Sequence, residues 1–288
     1  MTVLAILGPR SRPQDLALFQ ARLPHLTVLH TPDTPTVRDN LVHASLAIIF
    51  GGDGTLNRHL GALVESNVPV LLVPSGSGND FAQTNGIRNV QDALAAFHLF
   101  QSGQPLITYC DLGLLVTSEG HRRYFSCCAN VGLDADATRR ANSLPNWIKA
   151  RSGYLLGGLA AIACYQPSRL TVNIDDNHAI SENGWFVAVS NTPIYGGGLL
   201  IAPAASITDG RLNVTYLRAT SRLNLIRHYP RILNGTHIHL PIIAACTAQN
   251  IVINTASLQP VYADGEPMGT TPCTISVAPR LIRVLRPK

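Results

Sequence analysis

Two glycine-rich stretches hold the residues best suited to phosphate chemistry. They are Gly51-Gly52-Asp53-Gly54-Thr55 and Ser75-Gly76-Ser77-Gly78-Asn79-Asp80. Glycine has no Cβ, so backbone N–H groups at Gly51, Gly52, Gly54 and Gly76 can approach phosphate oxygens closely. Thr55, Ser75 and Ser77 add hydroxyl donors, and Asn57, Asn79 and Asp80 complete the candidate nucleotide contacts. Asp53 is an anion and cannot hold phosphate directly. It is left with fixing the loop, contacting a ribose, or reaching a magnesium ion through water. One such loop alone reads equally well as a tight turn with no ligand. The pair, spaced like the ends of successive strands, favours a nucleotide. Neither stretch fits G-x-x-x-x-G-K-[ST] or G-x-G-x-x-G, so an ordinary P-loop or dinucleotide fingerprint is not indicated.

Asp264-Gly265-Glu266 and Asp209-Gly210 are a second source of carboxylates. On spacing alone, Asp-Gly is a hairpin turn. If strand geometry continued past it, Glu266 would face the same side as Asp264. The histidines give no metal signal. His59, His98 and His228 lack ligand spacing, and His237 and His239 read as alternate residues of a surface strand. Six cysteines show no C-x-x-C spacing, which fits free buried thiols rather than structural zinc.

The elements that must position these groups follow from periodicity. Val3–Leu7, Leu26–His30, Leu46–Phe50 and Val68–Val73 are short apolar runs that suit buried strands. Between them Leu16, Phe19 and Leu23, then 37–44, then Leu56, Leu60, Leu63 and Val64 recur at helical spacing. The first glycine loop therefore joins a strand end to a helix start, where unpaired N–H groups suit phosphate. Asn89 and Gly103 read as the caps of a helix reaching Phe100. This alternation predicts a doubly wound, Rossmann-like parallel sheet over residues 1–105, with ligand binding at the strands' carboxyl ends.

From 106 to 288 apolar–polar alternation dominates, in 106–116, 124–130, 170–174, 185–190, 212–217, 251–254 and 274–277. That predicts an antiparallel β-sandwich with helical insertions over 145–164 and 222–233, the latter kinked at Pro230. The apolar run 281–285 suits either domain. The fold class is thus α/β plus all-β.

The first loop, followed by Pro74-Ser75-Gly76-Ser77-Gly78-Asn79-Asp80-Phe81-Ala82, resembles the diacylglycerol kinase catalytic family, and most closely the bacterial soluble lipid kinases of the YegS type. Ser77 replaces the family's Thr and keeps its hydroxyl. GGDGT is shared with NAD kinases, whereas N-D-F-A points to lipid kinases. The likeness continues through Asn191 to Gly198, Pro203, Ala205, Asp209-Gly210-Arg211-Leu212 and Asp264-Gly265-Glu266, in the family's order. The resemblance implies that both loops bind ATP and that Asp264 is the general base. It also implies that Asp209 contributes to a structural magnesium site, with Glu266 a further magnesium candidate. Gly8-Pro9 stands where the family has Asn-Pro, and the Gly8 backbone N–H is the available substitute for the missing amide.

The chain of 288 residues is 46% hydrophobic and only 14% charged, enough for a sizeable core. Its net charge of +5 comes almost wholly from arginine, since Lys149 and Lys288 are the only lysines. The arginines form no block interleaved with aromatics, so nucleic acid is not expected. Reversible contact with an anionic membrane face suits them better, at about 1 kcal/mol for each basic residue near the surface. No leader and no apolar run of about 20 residues stands out, so a cytoplasmic protein at the inner membrane face is expected. The expectation is an ATP- and magnesium-dependent kinase for a lipid hydroxyl lying between the domains. The rivals are a superfamily kinase for a soluble acceptor such as NAD, and a non-catalytic nucleotide- or lipid-binding regulator. A homodimer is left open.

Overall fold

The computed structural model describes residues 2–31, 33–143, 161–175 and 178–288, with the backbone alone at 140–143 and 178. The chain divides into two compact units, Met1–Leu112 with Pro279–Lys288, and Gly113–Ala278.

In the first unit, β1 (Val3–Leu7), β2 (Leu26–His30), β3 (Leu46–Gly51) and β4 (Val70–Pro74) form a parallel sheet in the order β4-β3-β1-β2. All of β1 is buried, as is β3 up to Gly51. Continuous apolar runs of this kind belong in a parallel sheet covered on both faces. Helices α1 (Pro13–Gln20), α2 (Thr34–Leu41), α3 (Asp53–Ser66), α4 (Asp80–Thr84) and α5 (Val90–Gln101) alternate with the strands. The Asn89 side chain accepts from the N–H groups of Gln91 and Asp92 and caps α5. Phe19 packs edge-on against Phe50 at 5.3 Å between ring centroids and touches Phe97 at 5.4 Å. The run 281–285 finishes this unit, with Val284 pairing parallel to Val70.

The second unit is antiparallel. Its core takes alternate residues: Leu170, Val172 and Ile174 from β8 (Ser168–Ile174), and Ile251 and Ile253 from β12 (Asn250–Thr255). The long β9 (His178–Ser190) pairs with β8 through its first half. Its second half pairs with β7 (Cys128–Gly132) and β10 (Leu212–Arg218). The single strand expected over 124–130 is instead two, β6 (Arg122–Phe125) and β7, broken at Ser126–Cys127. A second cluster, with Leu133, Trp185, Leu217 and Leu225, lies beside α6 (Leu133–Ser143). Helix α7 (Arg222–His228) gives way to a 3-10 turn, Tyr229–Leu233, at Pro230. Proline there removes a helix donor. Of the helix expected over 145–164, residues 161–164 are helical and the rest lies outside the described residues.

His237 and His239 lie on a 3-10 turn, not a strand. His237 is buried, with Nε2 against the Ile201 carbonyl at 3.1 Å. His59 is a core residue of α3, held neutral down to about 4 chiefly by burial, with a smaller push from Arg58. Four cysteines are buried, but Cys164 and Cys246 are exposed.

Candidate functional site

The two glycine loops touch each other. A Cβ on Gly52 would lie 2.8 Å from the Gly76 Cα, and one on Gly76 would lie 2.6 Å from the Gly52 Cα. Only glycine at both positions permits this approach. Asn79, at φ 59°, locks the second loop. Its Oδ1 accepts from the Gly76 N–H at 2.8 Å and its Nδ2 donates to the Gly76 carbonyl at 3.0 Å. Asp53 ties the loops together, accepting from the N–H groups of Asp80 and Phe81, each at 3.0 Å. Of the three roles the sequence allows it, fixing the loop is therefore one it performs. Asn79 likewise spends its amide on the loop itself.

The fit to phosphate rests on what remains. Helix α3 begins at Asp53 with Gly52 as its cap and no side-chain capping bond. Its N-terminus therefore has the Gly54 N–H and a partial positive charge to offer an anion, whereas the Thr55 and Leu56 N–H groups donate to the Gly52 carbonyl. Gly54 and Ser77 are exposed, and Asn57 is half-buried. The Ser75 Oγ is buried without a partner among the described residues. Thr55 is buried, because its side chain fills the space over Gly8 and Gly51, where a Cβ would come within 2.3 and 2.5 Å of it. That contact explains glycine at position 8. The Gly8 N–H does not substitute for the family amide, since it donates to the Phe50 carbonyl at 2.8 Å.

Asp264 and Gly265 form the two-residue turn between β13 (Pro260–Ala263) and β14 (Glu266–Thr270), both with positive φ, 48° and 86°. Strand geometry does not continue, so Glu266 does not follow Asp264 along one face. It pairs across the hairpin with Ala263 and is exposed. The Asp264 carboxylate sits in the gap between β6 and β7. Oδ2 accepts from the Ser126 N–H at 2.6 Å and the Ser126 hydroxyl at 2.9 Å. Oδ1 accepts from the Cys127 and Cys128 N–H groups at 2.8 and 3.1 Å. Two of those N–H groups, at Ser126 and Cys127, lie in the break, and the third, at Cys128, opens β7. The bend is buttressed from behind. Asn191 Nδ2 donates to the Ser126 carbonyl at 2.8 Å, and the Asn191 N–H to the Cys127 carbonyl at 2.7 Å.

Asp209 is exposed at a turn, where its Oδ1 accepts from the Arg211 N–H at 3.0 Å. Among the described residues no three His, Cys, Asp or Glu side chains cluster as a metal site. A nucleotide's magnesium does not need such a cage, because phosphates and water supply most of its ligands.

Sequence reasoning missed a further group in the second unit. A cavity of about 100 Å³ is walled by apolar side chains, among them Leu133, Phe186, Leu217, Leu225, Ile232 and Ile243. Its polar lining is Asp134, Tyr195, Tyr229, His228 and His237, with the Tyr195 hydroxyl donating to Asp134 Oδ1. Burial pushes the Asp134 carboxyl up to about 6, against the opposing pull of hydrogen bonds from Tyr195 and Asn130. Burial and the Asp134 charge push the Tyr195 hydroxyl well above its ordinary range, which keeps it a donor. Asp134 reads in sequence as a first-turn helix acid, which hides it.

Residues 20–108 match the diacylglycerol kinase catalytic domain, and residues 127–286 the YegS C-terminal NAD kinase beta sandwich-like domain. A diacylglycerol kinase of Mycobacterium tuberculosis is 31% identical over 241 residues, covering 84% of this chain and 76% of that protein. The putative lipid kinase YtlR of Bacillus subtilis is 27% identical over 246 residues, covering 82% and 79%. A crystal structure of a putative diacylglycerol kinase from Bacillus anthracis superposes with TM-score 0.77 at 21% identity, over 99% of this chain and 97% of that one. Yeast NADH kinase gives 0.59 at 13% identity, over 100% and 84%, and so shares the fold. The chain is a member of the diacylglycerol kinase catalytic family, of the YegS lipid-kinase type.

Proposed function

We propose that this protein transfers the γ-phosphate of ATP to the hydroxyl of a lipid. The observation that carries the choice of acceptor is the mainly apolar cavity of the second unit, whose carboxyl–phenol pair and few other polar side chains suit a polar headgroup over an apolar chain. A soluble dinucleotide would leave such walls wetted, at roughly 25 cal/mol for each Å² of apolar surface kept in water.

In this reading the lipid hydroxyl oxygen attacks the γ-phosphorus. The bond from that phosphorus to the bridging oxygen breaks, and ADP leaves with the electron pair. The hydroxyl proton passes to Asp264. A positioned carboxylate contributes about 10²–10⁴-fold to such a step. Magnesium, when bound, neutralises charge on the phosphates. The Gly54 N–H and the positive end of α3, the apposed Gly52 and Gly76 and the Ser75 hydroxyl hold the phosphates.

An ionised carboxylate offers about four acceptor positions. Three of the donors to Asp264, at Ser126, Cys127 and Cys128, are backbone N–H groups, whereas the Ser126 hydroxyl turns on a single side-chain bond. It is the donor that yields to the acceptor. Incubation with labelled ATP and total lipid extract should place label in one lipid species. Asp264→Asn should abolish that transfer and retain the rise in Tm that ATP produces. Ser126→Ala should keep kcat within about threefold of the parent, set against the 10²–10⁴ of a proton-transfer step. A hundredfold loss in Ser126→Ala would make the hydroxyl an obligate proton relay. Full turnover in Asp264→Asn would remove the base assignment.

A further inference from the structure

Two successive peptide units hold Asp264 Oδ1, through the N–H groups of Cys127 and Cys128 at 2.8 and 3.1 Å. Successive N–H groups of an extended strand point to opposite sides, so both reach one oxygen only where the chain bends. A peptide unit is planar, so fixing its carbonyl fixes the direction of its N–H. The carbonyls of these two units belong to Ser126 and Cys127, and Asn191 holds both. Its Nδ2 donates to the Ser126 carbonyl at 2.8 Å and its own N–H to the Cys127 carbonyl at 2.7 Å. The Thr192 N–H adds a longer bond to the Cys127 carbonyl, at 3.3 Å. One residue thus grips the far ends of both units that grip Oδ1. Donation to a carbonyl also polarises the N–H across the same peptide and strengthens it as a donor.

Register delivers Asn191 to this place. Ser190, the last residue of β9, pairs with Cys128, so the next residue lies against the break. Ser126, Cys127 and Asn191 are all buried, so solvent supplies no substitute for the amide. Asparagine suits the task because its amide reaches one carbonyl while its own N–H serves the next. Ionised aspartate has no donor, and serine is too short to span the same distance. Oδ2 is held differently, by the Ser126 N–H at 2.6 Å and the Ser126 hydroxyl at 2.9 Å. That N–H belongs to the preceding peptide unit, and the hydroxyl to a side chain free to turn.

We propose that Asn191 is a positioning residue for the proton transfer: it anchors Asp264 Oδ1 through the Ser126 and Cys127 peptides and so makes Oδ2 the oxygen that takes the proton. The proposal rests on the reading of Asp264 as the general base. The acceptor O–H bond breaks as its oxygen bonds to phosphorus. The proton passes to Oδ2, where the Ser126 hydroxyl turns aside, and Oδ1 keeps both of its N–H bonds throughout.

The test pairs transfer with hydrogen exchange in the full-length protein. In Asn191→Ala, label transfer to lipid at saturating ATP should fall roughly 10²-fold, as for a misplaced reacting group. The rise in Tm produced by ATP should stay at the parent value. Exchange at the Cys127 and Cys128 N–H groups, read by NMR, should quicken at least about tenfold, as it should in Asp264→Asn. Asn191→Ser removes less volume and should show the same two effects. It replaces the alanine variant if Trp185 fluorescence reports that the latter does not fold. Asn213 is the control, buried on β10 and paired with Ser190 beside Asn191. Asn213→Ala should leave transfer and exchange unaltered. Parent-level transfer in the Asn191 variants would overturn the proposal. So would lost transfer with exchange unchanged, or an equal loss in Asn213→Ala, which would reduce the effect to core packing. If exchange quickens as stated while the parent phosphorylates no lipid, the anchoring of Asp264 stands and the kinase reading falls. If Asp264→Asn abolishes transfer while the Asn191 variants alter neither transfer nor exchange, the kinase reading stands and the positioning role falls.

Discussion

Burial of Asp134 ties the stability of the second unit to pH. Its carboxyl titrates near 3.8 in an unperturbed state and near 6 when folded, because burial disfavours the charge. Between those values the native state holds a proton that the unfolded chain has lost. Stability therefore falls as pH rises through that window and stays flat above it. A displacement of that size corresponds to a cost of roughly 3 kcal/mol at most. Asp134→Asn removes the ionisation and keeps an oxygen to accept from Tyr195. The variant should match the parent near pH 4 and exceed it in urea-denaturation stability by about 1–3 kcal/mol at pH 8. A gap that does not change with pH would show that charge is not its source. Little of this was legible in the sequence. The partners Asn130 and Tyr195 reach Asp134 only through the packing of β7, α6 and the loop after β9. Asp264 was legible as an Asp-Gly turn, and resemblance gave it a role. Its donors stand 136 to 138 residues earlier in the chain, and no local pattern connects them.

Pairs of elements show the same division between local and long-range information. The parallel strands were readable because a strand buried on both faces must be apolar throughout, as Leu46 to Phe50 is. The break at Ser126–Cys127 was not, since the Asp264 carboxylate and Asn191 that hold it stand far along the chain. The glycine loops fall between these cases. Their composition was plain, but their contact was not. Gly52→Ala or Gly76→Ala forces a methyl group to within 2.8 or 2.6 Å of the opposing Cα. Overpacking of this kind costs about 1–3 kcal/mol, and here it is relieved by parting the loops. Either variant should lose at least about tenfold in ATP affinity by calorimetry, the equivalent of 1.4 kcal/mol. Gly61, inside α3, has open space where a methyl group would stand, with nothing within 4 Å, so Gly61→Ala is the matching control. It should raise stability by about 0.5–1 kcal/mol and leave ATP affinity unaltered. Equal affinity in Gly52→Ala would show that the two loops need not touch to hold the nucleotide.

At the scale of the molecule, the last strand pairs with strands of both units. Cys273–Arg286 is one continuous strand. Its first part pairs antiparallel with β12 in the second unit, and its second part runs parallel to β4 in the first. Periodicity marks 281–285 as apolar, but names no partner, so the sequence left its membership open. Arg280 marks the change between the two, with φ of 54° and its N–H on Asp111 Oδ1 at 2.7 Å. The strand brings Ile282, Val284 and Leu285 into the first core, each at most 2% exposed. Burying side chains of this size contributes about 1.5–3 kcal/mol each. Three of them together rival the whole stability of about 5–15 kcal/mol typical of a domain. A chain ending at Ala278 keeps both glycine loops, Asp53 and Asn79, but leaves β4 with one neighbouring strand. It should show no ATP-dependent rise in Tm and a lower, broader first unfolding step by calorimetry, while Trp185 fluorescence still reports a folded second unit. Supplying 279–288 as a peptide should restore part of the ATP response. If the shortened chain binds ATP at parent affinity, the parallel sheet does not depend on its C-terminal strand, and the loops are positioned by β1 to β4 alone.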